Sequence, residues 1–172
     1  MTERGPLADA LRRDVAANRT QPKSLLLVVS YRLAAAAREV GARSPLHKLA
    51  ALPVLIAYRV LVEWVLGVEL PPQVEAGPGL RIRHGQGLVV NPGVVLGADV
   101  MLRKNVTIGN IRRGPGDTTA CPVVEDGAEF GAGAVVVGAI TIGAGSLIGA
   151  NAVVTRSVPP GVTVRAPRSE VV

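Results

Sequence analysis

Two hydrophobic periods divide the chain. Residues 7–66 carry apolar side chains in a helical pattern. After Pro22 the run SLLLVVSYRLAAAAR (24–38) is rich in helix formers, and Gly41 predicts its end. Ser44-Pro45 reads as an N-cap followed by proline at the first helical position, so a second helix is expected over 45–66, bent near Pro53 and stopped by Gly67. From residue 68 the period becomes six. Leu70, Ala76 and Ile82 begin the series, which resumes after a two-residue interruption within HGQG at Val90, Leu96, Leu102 and Ile108. A second block runs Val124, Phe130, Val136, Ile142, Ile148 and Val154. Four positions after these leaders stand smaller partners, among them Val74, Val94, Ala128, Ala134, Ser146 and Ala152.

Six is neither the 3.6 of a helix nor the 2 of an ordinary strand. It marks a hexapeptide solenoid, in which short strands meet at tight corners and each leading aliphatic stacks on its equivalent in the next coil. Three hexads close one triangular coil. The expected fold is therefore mainly β: a parallel β-helix over 68–160, preceded by a small α-helical region (1–67) and followed by a tail (161–172). The loop NIRRGPGDTTACP (110–122) interrupts the hexads.

Composition narrows the function classes. Hydrophobic residues make up 48% of the 172 and aromatics only 2%, so Val, Ala, Leu and Ile must build the core. The net charge of +6 favours anionic partners such as a phosphate-bearing cofactor. The basic residues are scattered and aromatics for base stacking are nearly absent, which argues against nucleic acid. The single cysteine, Cys121, allows no intrachain disulfide and fits a reducing compartment. The opening MTERGPLADALRRD is too polar for a signal peptide, so a cytoplasmic protein is expected. The apolar stretch 48–67 carries Pro53, Arg59 and Glu63 and falls short of a membrane span. It reads as a packed helix, with peripheral contact to a membrane surface as the alternative.

Candidate chemistry concentrates in GLRIRHGQGLVV (79–90), which holds one of the two histidines, His84, between Arg83 and Gly85. An imidazole is suited to take a proton from a hydroxyl at neutral pH. The other histidine, His47, lies at a helix start and reads as a surface residue.

The hexads resemble those of the left-handed β-helix acyltransferases. The stretch from GLRIRHGQGLVV through CPVVEDGAEFGAGAVVVGAITIGAGSLIGANAVVTRSVPPG is similar to the serine acetyltransferase branch. With the lead-in segments DVAANRTQPKSLLLVVSYRLA and LPVLIAYRVLVEWVLGVEL, it is more similar still to relatives that acetylate polysaccharide sugars, such as colanic-acid acetyltransferases. The left-handed coiling is what this resemblance implies. It also implies that His84, at the histidine of an H-x-x-G-[IL]-V-[IV] segment, is the catalytic base, and that Glu69, fifteen residues earlier, orients it. The activated hydroxyl would attack the thioester of acetyl-CoA directly, with no metal and no covalent enzyme intermediate. The resemblance places pantetheine beside Gly109, Asn110, Ala132 and Ala150 in a groove between the subunits of a homotrimer. Arg165 and Arg168 would meet the nucleotide end, and Arg112 and Arg113 a phosphate or an anionic glycan.

The chain departs from the serine-specific members at both contacts to the amino acid. The aspartate that precedes their catalytic histidine is here Arg83, and the Arg-His pair before a loop proline is Ala120-Cys121 before Pro122. A guanidinium repels an ammonium. Arg83 and Cys121 are therefore candidates for contact with a different acceptor, a sugar hydroxyl of a polysaccharide or its precursor. Free serine, as in cysteine biosynthesis, and a non-catalytic structural solenoid remain the alternatives. A zinc-dependent carbonic anhydrase on the same scaffold would need three histidines, and only two are present.

Overall fold

The six-residue period becomes a three-walled coil. The computed structural model describes residues 7–111 and 120–167. One wall stacks β1 (Glu75–Ala76), β4 (Val95–Leu96), β7 (Val123–Val124) and β10 (Thr141–Ile142). The second stacks β2 (Arg81–Arg83), β5 (Met101–Arg103), β8 (Glu129–Phe130), β11 (Leu147–Ile148) and β13 (Thr163–Val164). The third stacks β3 (Val89–Val90), β6 (Thr107–Gly109), β9 (Val135–Val137) and β12 (Val153–Val154). All pairings are parallel.

A regular coil takes 18 residues, as Val89 beside Thr107 shows. HGQG lengthens one coil to 20, so that Arg81 lies beside Met101, and the loop over 110–122 lengthens another to 28, so that Thr107 lies beside Val135. Every leading aliphatic from Leu70 to Val154 is buried, and the ladder forms one continuous core. Ser146, the polar member of the partner series, is also buried and donates its hydroxyl to the Pro159 carbonyl at 2.9 Å.

Corner sterics explain one glycine in particular. A Cβ on Gly131 would sit 2.4 Å from the Ala150 nitrogen, backbone against backbone, so the stacked corner could not relax around it. Gly131→Ala is expected to lower stability by about 1–3 kcal/mol. Gly145→Ala at φ +65°, where a Cβ meets nothing within 4 Å, should cost only about 1 kcal/mol of backbone strain. Thermal denaturation of the two variants side by side measures the difference.

Three helices precede the coil: α1 (Leu7–Asn18), α2 (Pro22–Gly41) and α3 (Pro45–Arg59). The Ser44 side chain caps α3 by accepting from the His47 N–H at 3.3 Å. The expected second helix changes to a π-helical turn at Val60–Val65 rather than running on as α-helix, and Gly67 ends it at φ +63°.

These helices close one end of the solenoid with polar side chains. The first coil has no preceding strands to satisfy its backbone, and unpaired buried groups are costly. Asp14, fully buried, accepts from the N–H groups of Gly79 and Leu80 at 2.7 and 2.9 Å. Arg32, also buried, donates Nε to Asp14 at 2.8 Å and its two terminal nitrogens to the carbonyls of Ala76 and Gly77, both at 2.6 Å. Asn18 donates to Leu80 O at 2.8 Å and accepts from the Ile82 N–H at 3.2 Å. Tyr31 and Tyr58 donate to the carbonyls of Val74 and Leu70 at 2.7 and 2.5 Å.

The packing of the 48–67 stretch differs from the packed helix expected of it. On α3 only Ala51 and Tyr58 are buried, and its opposite side stands open.

Candidate active site

The HGQG interruption is the local cause of the site. Two extra residues push the corner between β2 and β3 outward, and His84 takes up a left-handed conformation at φ +62°, which is uncommon for a non-glycine residue. In the regular register of this corner the left-handed position is held by Gly87 at φ +68°, Asn105 at φ +58°, Gly133 at φ +72° and Asn151 at φ +58°, so His84 is an additional left-handed residue of the lengthened corner. The imidazole is exposed and lines a cleft of about 330 Å³ together with Gly85 and the start of α2, where Thr20, Gln21, Lys23 and Ser24 form the opposite side.

Glu69 arrives at the same corner from the strand below. Its N–H donates to Leu88 O and its carbonyl accepts from Val90, both at 2.8 Å, so it pairs with Val89 as the first rung of the β3 wall. The Gly87 N–H likewise donates to Gly67 O at 2.7 Å. Backbone pairing thus brings the two proposed catalytic residues to one edge. The Glu69 side chain is exposed, and no hydrogen bond or ion pair between described residues joins it to the imidazole.

Arg83 points elsewhere. Its guanidinium is part-buried and donates to the Ala17 carbonyl in the last turn of α1 at 3.2 Å, where the helix dipole favours a cation. Its second terminal nitrogen is buried without a hydrogen-bond partner among the described residues. The sequence marked Arg83 as an acceptor contact; the fold gives it a structural engagement one residue from His84.

The remaining candidates fall on two edges. Ala132 and Ala150 occupy the corner of His84, two and three coils further along; the Asn105 N–H donates to Gln86 O, Gly133 to Lys104 O and Asn151 to Ala132 O, one rung each. At about 4.8 Å per rung, the row from His84 to Ala150 spans roughly 14 Å. Gly109 and Asn110 lie at the other end of the β3 wall. There the Asn91 amide donates to Asn110 Oδ1 at 3.1 Å, and Asn91 Oδ1 accepts from the Gly93 N–H at 3.0 Å and from the Cys121 thiol at 3.2 Å. Burial pushes the Cys121 thiol above its ordinary pKa, with the Gly93 backbone opposing the shift, a direction opposite to that which activates a cysteine. Asn91 was not singled out by its sequence context; the NPG that follows the leading Val90 reads as an ordinary solenoid corner. Among the described residues a Cβ on Gly109 would meet only the Asn91 Cβ, at 3.5 Å, an ordinary van der Waals contact. Arg165 is exposed. Arg112, Arg113 and Arg168 lie outside the described residues.

Among the described residues no group of three His, Cys, Asp or Glu side chains is placed to hold a metal ion. No helix of the described residues is long and apolar enough to cross a membrane.

Comparison with known proteins gives the class of chemistry. The chain is 36% identical over 146 residues to WcaB of Escherichia coli (strain K12), named for colanic acid biosynthesis and acetyl transfer; the match covers 85% of this chain and 88% of the relative. It is 36% identical over 118 residues to the serine acetyltransferase of Helicobacter pylori (strain 26695), covering 69% and 68%. Among solved structures, the serine acetyltransferase of Brucella abortus in complex with coenzyme A superposes with a TM-score of 0.73 at 27% identity, covering 95% of this chain and 66% of that one. The soybean serine acetyltransferase apoenzyme gives 0.72 at 28% identity, covering 91% and 65%. The chain therefore spans about two thirds of the length of those structures. No family model matches it.

Proposed function

The chain belongs to the hexapeptide-repeat acetyltransferases that include the colanic acid and serine acetyltransferases, and on that premise we propose that it transfers acetyl from acetyl-CoA to a sugar hydroxyl of a polysaccharide or its precursor. The observation that carries this reading is His84, exposed on a cleft at a widened corner of a coil that otherwise repeats every 18 residues. In the proposed mechanism the acceptor oxygen attacks the thioester carbonyl carbon as its proton passes to the His84 imidazole. The role proposed for the Glu69 carboxylate is to accept from the other ring nitrogen, which would fix its tautomer and stabilise the imidazolium. Collapse of the tetrahedral intermediate breaks the carbon–sulfur bond, and the departing thiolate takes the proton back.

The acetyl-CoA substrate fits the small-residue row. Ala132 and Ala150 place no side chain larger than a methyl group on this edge, the Ala132 carbonyl accepts from the Asn151 N–H, and the roughly 14 Å from His84 to Ala150 suits an extended arm. Gly109, Asn110 and Cys121 stand on the other edge of the same wall, so one chain alone does not bring all the candidates together. A homotrimer, in which the His84 edge of one protomer meets the Asn110 edge of the next, unites them.

Free serine is the second reading, favoured by the serine acetyltransferase relatives. Against it stand Arg83 beside His84 and Ala120-Cys121 in the loop, which supply neither a carboxylate for the ammonium nor a cation for the carboxylate. Losing one partner of such a desolvated charge pair costs about 2–5 kcal/mol. That corresponds to roughly 30- to 5,000-fold in kcat/KM. The test follows free thiol release from acetyl-CoA with serine and, in parallel, with oligosaccharides of a colanic-acid type. Turnover with the saccharides and a kcat/KM for serine lower by at least that factor is expected; efficient serine acetylation overturns the proposal.

A further inference from the structure

The side of α3 that faces away from the core is apolar along its whole length. Leu46, Leu49, Leu52, Ile56 and Val60 recur at spacings of three and four, and Trp64 extends the row into the π-helical turn. Leu46, Leu49 and Trp64 are 75%, 67% and 77% exposed. This inverts the usual arrangement of a surface helix, whose polar face looks outward. Cations flank the row. Arg38, Arg43 and Lys48, all exposed, line one cavity of about 690 Å³, and Arg38 and Arg59 border a second of about 450 Å³ with Leu52 and Ile56. The acidic residues nearby are Glu63, ion-paired to Arg59 at 2.9 Å, and Glu39, next to Arg38 in the chain.

We propose that α3 and the π-helical turn seat this protein on an anionic phospholipid bilayer. An exposed apolar stripe with an indole at one end and a basic flank matches the chemistry of the headgroup–acyl boundary, where such helices lie in the plane of the interface. A second copy on the same stripe would cover the apolar residues but offer no anionic partner to the exposed Arg38, Arg43 and Lys48, which anionic headgroups supply.

Trp64 is the single tryptophan of the chain and sits in the stripe, so its fluorescence reports contact directly. The full-length protein is titrated with vesicles of phosphatidylcholine alone and of phosphatidylcholine with phosphatidylglycerol, without acetyl-CoA or acceptor. The readout is therefore independent of the acceptor proposal. Expected are a shift of emission to shorter wavelength, quenching by brominated acyl chains, and co-sedimentation with the anionic vesicles that weakens with salt. Replacing Arg43 and Lys48 together by Gln is expected to weaken binding roughly 25-fold, at about fivefold per cation. The Leu49→Glu, Ile56→Glu double variant, changed only at exposed positions, should lose binding while keeping its circular dichroism and thermal transition. Unchanged emission with anionic vesicles overturns the proposal. So does emission already at short wavelength in their absence that returns to long wavelength on dilution, since a second copy would then cover the stripe.

Discussion

Replacing His84 with alanine is expected to reduce acetyl transfer by roughly 10²–10⁴-fold in kcat while leaving the solenoid folded. The imidazole stands exposed at a corner, and no hydrogen bond joins its ring to another described residue, so its removal leaves no buried cavity. Substitution at φ +62° argues for a control. His84→Asn keeps a residue type that tolerates the left-handed region, as Asn105 and Asn151 do at equivalent corners, and should be equally inactive. Glu69→Gln is expected to lower kcat by less, because the ring stays in place and loses only its orienting charge. Thiol release measured for the three variants, with thermal denaturation alongside, separates chemistry from folding. Full activity of both His84 variants would remove His84 as the base and leave a binding or structural role.

The second large effect concerns the closed end of the solenoid. Asp14→Ala is expected to destabilise the fold by about 3–5 kcal/mol. At this chain length that lowers the melting temperature by roughly 6–20 °C. The change strands the buried Arg32 guanidinium and two N–H groups, those of Gly79 and Leu80. Arg32→Met should cost a similar amount, since it leaves the Asp14 carboxylate buried without its cation and frees the carbonyls of Ala76 and Gly77. The double variant is expected to be less destabilised than the sum of the two, because it leaves no lone charge in the interior. Additive losses in a denaturant series would mean that the pair acts as two separate anchors to the coil.

Much of the architecture was legible because a solenoid writes its core at fixed intervals. Once the period of six was recognised, Leu70 through Val154 could be placed inward without knowing any long-range contact, and all of the leaders are buried. The cap at Ser44 and the stop at Gly67 were legible for the same reason, since their causes are local. What escaped were interactions whose partners lie far apart in sequence. Asp14, Asn18 and Arg32 look like ordinary helix polars until Gly79, Leu80 and Ile82 arrive more than forty residues later. A signal did exist: Asp14 and Asn18 share one helix face at a spacing of four, and Arg32 interrupts an apolar run. Apolar composition also misled for residues 48–67. Hydrophobic residues were expected to be packed, whereas α3 turns most of them outward. Within the site, the Glu69 backbone pairs with Val89, five residues past His84, and no hydrogen bond between described residues joins the two side chains. Motif spacing could not foresee that Arg83 would be drawn to the end of α1, because that contact depends on where a separate helix docks.

The polar stopper formed by the helices has a consequence for how the chain is made. Its helices precede the coil in the chain, so Asp14 and Arg32 are synthesised before the strands whose backbone they pair. From there each strand finds its neighbour a short distance back along the chain, 16 to 28 residues for the pairs from Glu75 to Val164, and coils are laid down in order. Such short separations along the chain lower the loop-closure cost that ordinarily slows all-parallel topologies.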